Sequence, residues 1–117
     1  MTRDDASIFD MLIAARRVVE TVRDISFDEF AGDWKTQSVV IHQLTVLGEA
    51  AKRLSSEFRD RHKNIPWRAI AGHRDILIHR YNGVDLNQVW LIATRELPKL
   101  LEFLESVAPG EEEDNNP

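Results

Sequence analysis

The chain contains no cysteine, which removes disulfides, thiolate zinc sites and cysteine nucleophiles together. It has no apolar run approaching a membrane span, and its first residues, Met1-Thr2-Arg3-Asp4-Asp5, carry no signal-peptide core. A cytoplasmic location is therefore expected. No internal repeat and no run of β-type alternation can be found. His42, His62 and His73 lack metal-ligand spacing, and the acids form no inward cluster, so neither a metal nor any other cofactor is expected. Positive charge is also short overall, and the formal net charge of −5 argues mildly against a nucleic-acid partner until its distribution is examined.

What is present is one small domain of 117 residues, 43% hydrophobic and 30% charged, ordinary values for a globular protein. The charge is segregated. From Lys52 to Arg80 there are eight Lys and Arg against three acids, a net of +5, so the remainder carries −10. That basic third holds three of the four histidines. It can attract RNA phosphates whatever the total charge.

Apolar spacing places a first helix over about Asp4 to Asp24, with Ile8, Leu12, Ala15, Val19 and Val22 at steps of three and four. Ser26-Phe27-Asp28-Glu29 matches a capping box and predicts a short helical turn, closed by Gly32. Asp33 is placed to cap a second helix from Trp34 to about Arg59, with Val40, Leu44, Leu47, Ala51, Leu54 and Phe58 as a bundle seam. Gly48, Ala50 and Ala51 would let another helix approach closely beside Glu49. Glu49 itself reads either as a solvent-facing charge or as an inward residue supporting a site. A third helix is expected from Pro66 to Arg80 or Tyr81, stopped by Asn82-Gly83 with Gly83 as a left-handed cap. Asp85 with Gln88 opens a fourth helix that runs to about Val107 and is bent at Pro98. The sequence thus predicts an all-α fold, an antiparallel bundle of four main helices with a short extra helical turn after the first. The domain spans 1–107, and 108–117 reads as a mobile acidic tail.

Chemistry is concentrated in His73-Arg74-Asp75-Ile76-Leu77-Ile78-His79-Arg80-Tyr81. His79 can act as an acid or base near neutrality, and Arg74 offers a permanently charged fork to phosphate oxygens. Asp75 can orient the His79 ring if both lie on a helix, where i,i+4 residues touch, and Arg74 would share a stripe with Tyr81. Arg74 and His79 would not share a face, because five helical residues rotate by roughly 140°. Either the helix ends near His79, or a second copy of the chain completes the site.

This Arg-x4-His-x-Tyr stretch resembles the signature of the HepT-like branch of the HEPN superfamily, small helical ribonuclease toxins. So do, in order, Gly48-Glu49-Ala50-Ala51-Lys52-Arg53-Leu54, Ile65-Pro66-Trp67-Arg68, Tyr81-Asn82-Gly83-Val84-Asp85 and Glu96-Leu97-Pro98. The resemblance implies the toxin of a type II toxin–antitoxin system, a metal-independent endoribonuclease acting through 2′-hydroxyl attack with Arg74 and His79 as catalytic residues. It implies a homodimer, or a larger hetero-oligomer with an MntA-type nucleotidyltransferase antitoxin that transfers AMP to Tyr81. Asp75 departs from the many relatives that have Asn there, and a carboxylate at that position can tune or reduce activity. A non-catalytic helical module that binds a nucleotidyltransferase or a nucleotide is the alternative reading of the same residues.

Overall fold

A computed structural model describes residues 2–73, 78–79 and 83–109 of the chain, with Ile78 and His79 described by their backbone. Helix α1 (Arg3–Val22) opens on a capping box. The Thr2 hydroxyl accepts from the Asp5 amide at 3.0 Å and the Asp5 carboxylate accepts from the Thr2 amide at 3.2 Å, so two otherwise orphaned donors are satisfied reciprocally. The box expected at Ser26 and Glu29 forms in the same way and starts the short helix α2 (Phe27–Ala31). Asp33 caps α3 (Trp34–Lys52), its carboxylate accepting from the Lys35 and Thr36 amides.

Helix α3 stops at Lys52 instead of running to Arg59. Ser55 caps a separate helix, α4 (Ser56–Arg61), its hydroxyl accepting from the Phe58 amide. Asp4, at the start of α1, accepts from both the Ser55 amide at 2.8 Å and the Ser55 hydroxyl at 2.6 Å. These bonds, the side-chain one foremost, hold the Asp4 carboxyl below the usual carboxylate range. A cap tied down by a carboxylate 51 residues away outweighs the local continuity of the helix. The apolar seam nevertheless survives the break, since Val40, Leu44, Leu47, Ala51, Leu54 and Phe58 are all buried.

The third expected helix differs most. The described helix α5 covers only Trp67–Ala71, with Pro66 as its cap and Gly72 at its end. Ile78–His79 (β1) is extended and pairs antiparallel with Gly83–Val84 (β2), Ile78 opposite Val84 and His79 opposite Gly83. A helix continuous to Arg80 is thus not formed. Gly83 does adopt the left-handed conformation anticipated for it, φ 78°, but as part of this ribbon and not as a helix cap.

Asp85 caps α6 (Leu86–Leu91), accepting from the Gln88 amide, and a π turn (Ile92–Glu96) leads directly into α7 (Leu97–Val107). The disturbance expected at Pro98 is therefore a π turn placed before it. The Leu97 amide bonds to the Ile92 carbonyl, which puts Pro98 in the first turn of a new helical segment, where its missing N–H leaves no bond unmade.

The core lies where α1, α3 and the α6–α7 run meet, filled by Ile8, Met11, Val18, Leu44, Leu47, Ile92, Leu97 and Leu104. The fold is, among the described residues, all-α apart from the ribbon of two two-residue strands. Among the described residues three helical runs are long, and the fourth main helix of the expected bundle is represented by α5 alone. Helix α7 ends at Val107, the expected domain limit, and most of the 108–117 tail lies outside the described residues. Among the described residues, no helix is long and apolar enough to cross a membrane.

Candidate active site

Helix α5 is what delivers the chain to the chemistry-bearing stretch, and Gly48 fixes where α5 sits. A Cβ at position 48 would lie 2.9 Å from the Ile70 carbonyl oxygen and 3.4 Å from that of Ala71. Only glycine lets the two helices approach this closely, as the small residues around Glu49 anticipated. Ile70 and Trp67 anchor the other side of α5 in the core, and the Trp67 indole N–H donates to the His62 carbonyl at 3.0 Å.

His79 belongs to β1, its backbone held opposite Gly83. The helical spacings that related Asp75 to His79 and Arg74 to Tyr81 therefore do not apply, because an extended residue does not follow a 100° rotation per step. The helix expected to reach Arg80 thus ends before His79, and the option of a second copy completing the site stays open. Arg74, Asp75 and Tyr81 lie outside the described residues, as does the His79 side chain. Glu49 is exposed on α3 and paired with Lys52 at 3.4 Å, so its inward option is not taken.

His73, immediately before Arg74, is a residue to which the sequence assigns no role of its own. It is 5% exposed, and its Nδ1 has no hydrogen-bond partner among the described residues. Burial pushes its pKa down to about 4, so it is neutral at physiological pH. His73 follows Ile70 by three residues, a step that returns to the inward side of a helix, although α5 itself ends at Ala71. His73 lines a cavity of about 330 Å3 together with Ile65, Ile70, Glu96, Lys99 and Leu100. Among the described residues no three His, Asp or Glu side chains gather as a metal ion would need.

Residues 11–107 match the family described as "Ribonuclease HepT-like". A protein of Methanocaldococcus jannaschii named "Putative RNase MJ1380" is 35% identical over 102 residues, 87% of this chain and 94% of that protein. One of Thermococcus cleftensis named "Probable ribonuclease HepT" is 41% identical over 91 residues, 78% and 83% of the two chains. No solved structure matches.

Proposed function

The chain belongs to the HepT-like family of ribonucleases, and from that premise we propose that it cuts RNA without a metal, as the toxin of a type II toxin–antitoxin pair. The observation that carries the proposal is the family match over 11–107, a span containing Arg74, His79 and Tyr81 in the order of the family signature.

In the proposed reaction the RNA 2′-hydroxyl attacks the adjacent phosphorus. The O2′–P bond forms, the P–O5′ bond breaks, one base removes the hydroxyl proton and one acid protonates the departing 5′ oxygen. Arg74 holds the phosphate oxygens and offsets the charge that grows on them. His79 supplies acid–base catalysis, and Asp75 orients its ring. One histidine per chain is one group short, so a symmetric homodimer supplies the second. The pairing of His79 with Gly83 supports this reading, because an extended residue is released from the helical rotation that would have turned it away from Arg74. Glu49, exposed and paired only with Lys52, is left as a solvent-facing charge outside the proposed chemistry.

Regulation is assigned to Tyr81. An MntA-type nucleotidyltransferase antitoxin adds AMP to its phenol, and the new phosphate competes with RNA for Arg74. Tyr81→Phe should still cleave RNA yet gain no mass on incubation with the antitoxin and ATP. AMP addition undiminished in Tyr81→Phe would remove this assignment. The chemistry itself is tested by the ends produced when a single-stranded RNA is cut in excess EDTA. A 2′,3′-cyclic phosphate and a 5′-hydroxyl are expected; 3′-hydroxyl and 5′-phosphate ends would refute 2′-hydroxyl attack.

A further inference from the structure

On the opposite side of α5 from the His73 cavity, an open groove of about 660 Å3 runs between α4 and α5. Lys52, Arg59, Lys63 and Arg68 line it, with Asp60 the one acid among its lining residues. This is a concentrated positive surface on a chain of net charge −5. The four cations come from α3, α4, the α4–α5 connection and α5, so only the fold brings them together.

Among the described residues their charges are little committed. Lys63 and Arg68 make no ion pair among the described residues. Lys52 has only the exposed 3.4 Å pair with Glu49, of a kind that contributes about 0–1 kcal/mol. Arg59 reaches no carboxylate among the described residues and leans on the Ser55 carbonyl at 3.5 Å. Elsewhere Arg16 and Arg53 are tied to Glu105 and Asp10. The floor offers no recognition of bases. Trp67 is 8% exposed and its N–H is already spent on His62, which leaves no aromatic face for stacking. Walls that carry charge and little else suit a repeating anion. The groove also leads to the right place, because Ala71 lines it and Arg74, three residues on, lies within about 11 Å of Ala71 in any chain conformation.

We propose that this groove binds the sugar–phosphate backbone of single-stranded RNA next to the nucleotide being cut, Lys52, Arg59, Lys63 and Arg68 contacting its phosphates. The proposal rests on the ribonuclease reading and adds to it a substrate-binding surface outside the Arg74/His79 machinery. It makes strand binding independent of sequence and strongly dependent on salt.

The test measures binding of a fluorescent twenty-nucleotide oligouridylate by anisotropy across a salt series, every protein carrying His79→Ala to block cleavage. The groove's four phosphate contacts predict a contribution of about −3 to the slope of log K against log salt for a single strand, over and above that of Arg74. Arg59→Gln/Lys63→Gln/Arg68→Gln should bring that contribution to about −1 and weaken low-salt binding at least tenfold, while Arg68→Gln alone should reduce it by about 0.7. Removing as many as two exposed cations elsewhere, with Arg17→Gln/Arg23→Gln, should leave the slope unchanged. A triple variant that keeps the original slope overturns the proposal, and so does Arg68→Gln with no effect should the triple variant fail to fold. Competition by polyglutamate equal to that by oligouridylate would also overturn it, pointing to an acidic protein segment as the occupant. Loss of slope in the triple variant of a protein whose His79 form cuts no RNA would instead keep the groove and discard the ribonuclease chemistry.

Discussion

A buried histidine makes a pH-dependent contribution to stability whose sign follows from its environment. Unfolded, the His73 imidazole titrates near 6.5; folded, burial holds it neutral down to about 4. Between those values the unfolded chain binds one more proton than the folded chain, so stability rises with pH across that window. The contribution is fully present above about 6.5 and is lost as the pH falls toward 4, by roughly 3 kcal/mol. Replacing His73 by Leu should flatten this limb. The measurement is the difference in urea midpoint between the two proteins at several pH values from 4 to 7, and a constant difference would show that His73 does not titrate in this way. Glu96 and Lys99 line the same cavity, so their charges bear on the size of the effect. His73 stands beside Arg74 in every reading of the sequence, yet its burial was not legible from the motif, because the motif draws attention to polar chemistry and His73 is held by packing.

At the scale of elements, what was legible was what is locally determined. Ser26 with Glu29, Asp33 and Asp85 each cap the helix that the sequence assigned to them, because a cap needs only residues within one turn. Breaks and strands set by distant partners were not legible. The gap after Lys52 depends on Asp4, and the apolar spacing of Leu54 and Phe58 continues across it as if the helix did. The extended Ile78–His79 was hidden for a related reason: Asn82-Gly83 signals a left-handed residue, and a helix cap and a reversing ribbon need that residue equally. Gly83→Ala should therefore cost about 1 kcal/mol through its backbone, since among the described residues nothing lies within 4 Å of the added methyl. Gly83→Asn should cost less. Equal thermal midpoints for wild type and Gly83→Ala would contradict the left-handed assignment. Gly48→Ala acts differently, by pressing on the Ile70 carbonyl, and should destabilise by about 1–3 kcal/mol in chemical denaturation. It should also lower ribonuclease activity by displacing α5 and with it the segment entering Arg74. Full stability in Gly48→Ala would mean that α5 is free to move away from α3.

For the whole molecule, the family and the all-α class were both readable from the chain, the first from an ordered set of short motifs and the second from apolar periodicity. The proposed active site needs more than one chain, which predicts a homodimer at micromolar concentration in sedimentation equilibrium; a strict monomer would remove the composite site. Trp34 and Val39 on α3, 69% and 44% exposed, are apolar surface that the other described residues leave uncovered. The most direct test of the central claim is RNA cleavage in EDTA by the wild type, Arg74→Ala and His79→Ala, with folding of each verified by circular dichroism. The wild type should cut, and each variant should lose on the order of 100-fold or more in rate, as expected for removing a charge-stabilising or proton-transfer group. Cleavage abolished by EDTA in the wild type, or undiminished in both folded variants, would contradict it.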